Sequence, residues 1–165
     1  MSDSAKRWWN ANGVHSMVPI RESGTRRATE YLIHANIGEL SPVLIYHHIN
    51  AGFTLLDVQQ MLLDVTPRSC GSTLRRILGK PTSAKLRAGR LPVRLNSQQS
   101  AVAFMYAKIF ELSLNVFGTR ELAERWMRLP CRFLGGDVPL DVIHNPYAYR
   151  LIETYLQRVK FGVYQ

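Results

Sequence analysis

The sequence predicts an all-α fold, and three observations carry that expectation. Apolar residues recur at three- and four-residue steps along most of the chain, no useful length of apolar/polar alternation occurs, and helix start and stop residues punctuate the periodic stretches. At 165 residues with 46% hydrophobic content the chain is long enough to bury a core. That core belongs to one compact domain or to two small helical domains sharing an interface.

Residues 1–24 mix Ser, Asn, Gly and scattered charge without helical period, and read as a flexible basic arm. The paired Trp8-Trp9 in this arm is costly to leave in water, so it docks either on the chain's own core or on a partner. Thr25 to Ala35 reads as a first helix, with Ala28, Tyr31, Leu32 and Ala35 on one face. A second helix covers 41–51. Ser41 is its N-cap, Pro42 at the first helical position loses nothing by lacking an N–H, and Gly52 closes the end. Thr54 caps a third helix to Asp64, whose Leu55, Leu56, Val58, Met61, Leu62 and Val65 form a broad apolar stripe.

Two short helices follow, Gly71 to Leu78 and Thr82 to Ala88, separated by Gly79-Lys80-Pro81. A tight glycine-containing turn between short helices is the outline of a helix-turn-helix, in which the second helix enters the major groove. Asn96 or Ser97 caps a long helix to Phe117, with Ala101, Met105, Ile109, Leu112 and Val116 at helical spacing and Gly118 as its stop. Thr119 caps another helix through Met127, Pro130 to Gly136 is a loop, and Val138 to Ile143 is a single helical turn. Asn145-Pro146 starts the last helix, where Tyr147, Leu151, Ile152, Tyr155, Leu156 and Val159 trace one apolar face before Gly162. The organisation is thus an arm, a helix-turn-helix region over 25–95, and a second helical domain over 96–165.

Charge points to a polyanion. Net charge is +9, and residues 68–110 hold nine Lys/Arg against no carboxylate, so this window accounts for the whole excess. A solvated face mixes both signs to limit self-repulsion, whereas a 43-residue window without one acid is the electrostatic footprint of a nucleic-acid partner. Arg75, Arg76, Arg90 and Arg94 are placed as phosphate contacts that position the chain without reading sequence, and Lys80 in the turn is a further DNA-binding candidate. Thr82, Ser83, Lys85 and Arg87 are the candidates for base edges, Arg87 as a bidentate partner of guanine.

Several classes find no support. The longest apolar runs, Pro42 to Tyr46 and Ala101 to Ala107, fall short of the roughly 20 residues a membrane span needs. Met1 to Trp9 offers no apolar signal region, so a cytoplasmic protein is expected. Cys70 and Cys131 are too few and too distant for a disulfide framework or a CxxC site. His34, His47, His48 and the carboxylates have no metal spacing, and neither GxSxG nor HExxH occurs. No catalytic residue, metal or cofactor is expected.

From Val116 to Val163 the chain reads VFGTRELAERWMRLPCRFLGGDVPLDVIHNPYAYRLIETYLQRVKFGV. Phe117-Gly118, Ala123, Trp126, Pro130, Leu134-Gly135-Gly136, Pro139-Leu140, Val159 and Gly162-Val163 stand in an order and spacing that resembles the toxin-binding domain of the Xre/MbcA/ParS antitoxins. Upstream, Leu78-Gly79-Lys80-Pro81, Gly89-Arg90-Leu91 and Leu95-Asn96-Ser97 are similar to that family's turn, recognition helix and following helix start, so the resemblance covers about 40–165. Cys131 stands where the family usually has Asn, and Ala148 where it usually has Gly; neither change touches a charged group.

The resemblance implies a protein that neutralises a neighbouring toxin by direct binding, often one with a RES domain that degrades NAD, and that represses its own operon as a homodimer on operator DNA, with 96–165 as the toxin-binding and dimerisation domain. Within the resembling segment, Trp126 and Leu134 to Gly136 fit the domain's own core better than a contact. Arg132, Tyr149 and the tail Phe161, Gly162, Val163, Tyr164 and Gln165 are the candidates for the toxin contact, since an aromatic tail after a helix-ending glycine enters a pocket at modest ordering cost. The alternative is a stand-alone helix-turn-helix regulator or partition-type DNA-binding protein whose C-terminal domain serves only self-association.

Overall fold

A computed structural model describes residues 26–79 and 93–162 and arranges them in eight α-helices: α1 (Ala28–Ile33), α2 (Pro42–Ala51), α3 (Leu55–Val65), α4 (Cys70–Leu78), α5 (Ser97–Phe117), α6 (Arg120–Met127), α7 (Pro139–Val142) and α8 (Pro146–Phe161). Two 3-10 turns, Ile37–Glu39 and Arg132–Leu134, complete them. No strand occurs among the described residues, and the fold is all-α; Thr54 and Arg94 form one isolated antiparallel bridge.

The 21-residue α5 is the axis, and α1, α2, α4, α6 and α8 pack directly on it. Its start is fixed by a capping box in which Asn96 Oδ1 accepts from Gln99 N at 2.8 Å and Gln99 Oε1 accepts from Asn96 N at 3.1 Å. Sequence periodicity selects a face of Ala101, Met105, Ile109, Leu112 and Val116, but the deepest side chains also include Ala103, Tyr106, Ala107 and Phe110. Ala101, Met105 and Leu112 are only half-buried. A helix wrapped by neighbours on several sides has no single inward stripe, which is why one period does not describe it.

By length and composition α5 also suits a membrane span, with half of its apolar window buried inside the fold. Its buried hydroxyls are satisfied by this protein: Ser100 Oγ accepts from Phe53 N at 3.0 Å, Tyr106 donates to Thr66 Oγ1 at 2.9 Å and Ser113 donates to Ile109 O at 2.8 Å. Burial pushes the Tyr106 hydroxyl up to about 12. The helix is the core element of this fold.

Local capping follows the sequence closely. Ser41, Thr54, Thr119 and Asn145 each accept from a backbone N–H in the first turn of the helix they precede. Gly118 and Gly162 end α5 and α8 at positive φ. Gly52 ends α2 at φ 81°, and a Cβ there would lie 2.2 Å from Leu95 O, so only glycine fits.

The first helix is shorter than its periodicity suggests. It stops at Ile33 because His34 takes the left-handed conformation (φ 59°, ψ 22°) and Asn36 then caps the 3-10 turn through Gly38 N at 3.1 Å. At its other end a remote residue supplies the cap: Glu111 Oε1 on α5 accepts from Thr29 N at 2.8 Å and Thr29 Oγ1 at 2.7 Å. Leu56, expected in the α3 stripe, faces solvent, while Leu55, Val58, Met61, Leu62 and Val65 are buried. One contiguous cluster of buried side chains runs from Ala28 in α1 to Leu156 in α8, across the boundary near residue 95 drawn from the sequence.

Candidate nucleic-acid and partner-binding faces

The expected recognition helix over 82–88, with Lys80, Thr82, Ser83, Lys85, Arg87 and Arg90, lies outside the described residues. So do the arm and the tail residues Val163, Tyr164 and Gln165. What the structure shows is how the chain is anchored on either side of 80–92. Gln99 Nε2 donates to Leu78 O at 2.8 Å where the chain leaves α4. Where it returns, Leu55 N donates to Val93 O and Leu95 N to Phe53 O, both at 2.9 Å. The segment therefore starts and ends on the same body formed by α3, α4 and the head of α5.

The described arginines have different roles. Arg75 is exposed, with Nε donating to Gly71 O at 3.2 Å. Arg76, in the last turn of α4, forms an ion pair with Asp141 of α7. Arg94 donates through Nη2 at 2.7 Å and Nε at 3.2 Å to Gly52 O, so its guanidinium closes the end of α2. All three of the described residues placed on phosphates from the sequence are thus engaged within the fold, Arg75 by the Gly71 carbonyl, Arg76 by Asp141 and Arg94 by the Gly52 carbonyl.

The downstream half is organised around Trp126. Its indole is buried, stacks on Tyr155 at 5.9 Å and 5°, and tilts against Phe117 at 5.4 Å; Phe133 leans on Tyr155 at 5.2 Å. Trp126 is a core residue. Leu134 is half-buried, and Gly135 and Gly136 turn the loop at φ 71° and 101°. In that turn Gly136 N donates to Cys131 O at 3.0 Å and Cys131 N to Asp137 O at 2.9 Å.

Of the residues assigned to the toxin contact, Arg132 and Phe161 are exposed and Tyr149 is half-buried. Burial, and then the neighbouring Glu153 carboxylate, pushes the Tyr149 hydroxyl up to about 12, so it acts as a neutral hydrogen-bonding group. Lys160 Nζ lies 5.5 Å from the Phe161 ring centroid.

The larger surface was not read from the sequence. The expected apolar face of α8 splits in two: Ile152 and Leu156 are buried with Tyr155 and Val159 beside them, whereas Tyr147 is 81% and Leu151 48% exposed. With Phe161, 72% exposed, they form an outward stripe at helical spacing through Thr154 and Arg158, bordered by Arg150. The signal was present in the sequence: nine apolar and aromatic residues in α8 are too many for one side of a 16-residue helix.

No group of three or more His, Cys, Asp or Glu able to hold a metal occurs among the described residues. An open cavity of about 330 Å³ beside α6 is lined by Arg68, Arg125 and Arg128 with Glu121 and Glu124. The carboxylates stand four residues before Arg125 and Arg128, and Glu124 also accepts from Ser69 Oγ at 2.7 Å. The two carboxylates offset two of the three arginine charges locally.

Compared with known families, residues 114–162 match the C-terminal toxin-binding domain of the Xre/MbcA/ParS antitoxins. The match begins in the last turn of α5 and takes in α6, the glycine loop, α7 and all of α8. No curated protein matches the chain.

Proposed function

We propose that this protein is an antitoxin that binds a cognate toxin through α8 and the loop before α7, and that binds operator DNA through 80–92 to repress its own operon. The observation that carries the reading is that the segment matching the toxin-binding domain also holds an exposed apolar stripe with aromatic ends, Tyr147, Leu151 and Phe161. Monomeric proteins rarely leave such residues aligned without a partner. Arg132 and the chain end from Phe161 to Gln165 are assigned to the same contact, and Tyr149 would meet the toxin from the other side of α8. A RES-type, NAD-degrading toxin is the partner class, and the cytoplasm the compartment, that this reading carries with it.

The DNA component rests on the acid-free window, whose nine cations surround a helix-turn-helix pattern. The same window supports a second reading, a stand-alone DNA-binding regulator or partition-type protein. Co-expression with the product of the adjacent gene separates them. Growth rescue together with a stable co-purified complex is the antitoxin result; operator binding with neither rescue nor complex assigns the regulator instead.

A further inference from the structure

The open cavity beside α6 brings together two arginines that the fold leaves unengaged. Arg68 stands in the turn between α3 and α4, Arg128 directly follows α6, and both line the cavity. Their side chains are exposed and make neither a hydrogen bond nor an ion pair among the described residues, whereas Arg75, Arg76 and Arg94 are all held by the fold. Arg125 adds a third guanidinium to the lining, and Leu122 and Leu129 add apolar wall. Like charges converging on one cavity repel each other, and apolar walls focus their field, so the arrangement is stabilised by an anion that enters it.

The cavity's own carboxylates do not fill that role. Glu124 is 5% exposed and its Oε1 is occupied by the Ser69 hydroxyl, while Glu121 lies one turn before Arg125 on the same helix. One positive charge remains in excess. Arg68 also stands just before α4, whose N-cap Ser69 donates its hydroxyl to Glu124 and does not cap the first turn, so the positive end of that helix lies next to it in the chain. Shape then selects the class of anion. A carboxylate is planar, and one guanidinium satisfies both of its oxygens in a bidentate pair. A tetrahedral phosphate directs its oxygens several ways and takes guanidiniums arriving from separate elements, as Arg68 and Arg128 do.

We infer that the cavity between the α3–α4 turn and α6 is a phosphate-binding site, with Arg68 and Arg128 as the guanidiniums that grip the phosphate oxygens and Arg125 beside them. Its volume of about 330 Å³ admits a phosphodiester linkage or a free phosphorylated small molecule, and the chemistry that holds the phosphate is the same for both. The site lies outside the helix-turn-helix pattern, because α6 belongs to the downstream half of the fold. The inference does not depend on the toxin or DNA reading, since inorganic phosphate and the purified chain are enough to test it.

Titration of the full chain with inorganic phosphate, followed through the arginine Nε–Hε signals in nitrogen-15 NMR spectra, provides the test. Phosphate should shift the Arg68 and Arg128 signals along one saturable curve, and acetate at equal ionic strength should act roughly tenfold more weakly. Arg68→Gln and Arg128→Gln should each weaken phosphate binding by roughly tenfold, whereas Arg75→Gln should leave it unchanged. The acetate comparison uses the wild type, so it stands even if a variant folds poorly. Two further probes separate the sources. Tighter binding of a dinucleoside monophosphate, which carries a single phosphodiester, assigns a nucleic-acid backbone; tighter binding of thymidine monophosphate assigns a free phosphorylated small molecule. Absence of a saturable phosphate shift at the two arginines, acetate binding as tight as phosphate, or unchanged phosphate affinity in both folded glutamine variants would each overturn the assignment.

Discussion

Helices α2 and α8 both present apolar side chains to solvent, yet they are built differently. The α8 helix buries Ile152 and Leu156 and keeps a second stripe outside, with arginines in and beside it; α2, where Val43, Leu44 and Tyr46 face solvent, buries nothing fully and carries no formal charge. Hydrophobicity alone marks both as contact surfaces. The charge around them separates the two: the arginines of α8 suit a partner of opposite sign, and α2 offers no charge to select one.

The largest effect comes from breaking the support beneath α8. Trp126→Ala removes the indole stacked on Tyr155 and Phe117 and should cost about 3–5 kcal/mol, seen as loss of the cooperative thermal transition and of toxin capture together. That outcome places Trp126 in the core, whereas lost capture with an unchanged transition would make it a contact. Next is Gly52→Ala, where a methyl collides with the Leu95 carbonyl at positive φ. It should destabilise by about 1–3 kcal/mol in urea titration.

A smaller effect separates the two surfaces. Leu151→Glu should weaken toxin capture roughly tenfold or more, while stability stays within about 0.5 kcal/mol because the side chain is half outside the fold. Smallest is Asp141→Asn. The Arg76–Asp141 pair is 42% and 49% exposed, so its loss should cost under about 1 kcal/mol. It also frees a cation of the basic window, and duplex DNA binding should tighten a few-fold at low salt, with a slope in log salt steeper by about one. Unchanged salt dependence would take Arg76 out of the DNA contact.

The parts of this fold that depend on neighbours in sequence were legible in it. Ser41, Thr54, Thr119, Asn145 and the glycines after α5 and α8 act within one turn, so residue type and spacing locate helix ends to within a residue or so. The features that depend on distant residues were not. Glu111, 82 positions away, caps α1 through Thr29, and His34 ends that helix in a conformation usually left to glycine. Leu56 in α3 and Tyr147 and Leu151 in α8 fit an inward stripe by spacing alone; which apolar side faces in is decided by the helices packed against it. Among the site residues, Arg76 and Arg94 have cationic side chains suited to phosphate, but Asp141 and the Gly52 carbonyl, their partners, come from elsewhere in the chain.

In the proposed assignment the outward stripe of α8, and not the face of α2, receives the partner protein. Titration calorimetry of the adjacent-gene toxin, in a catalytically inactive form, into wild type, Leu151→Glu and Val43→Glu/Tyr46→Glu measures it directly. Tight binding is expected for wild type and for the α2 variant, with Leu151→Glu at least roughly tenfold weaker. Full affinity in Leu151→Glu with loss in the α2 variant would contradict it.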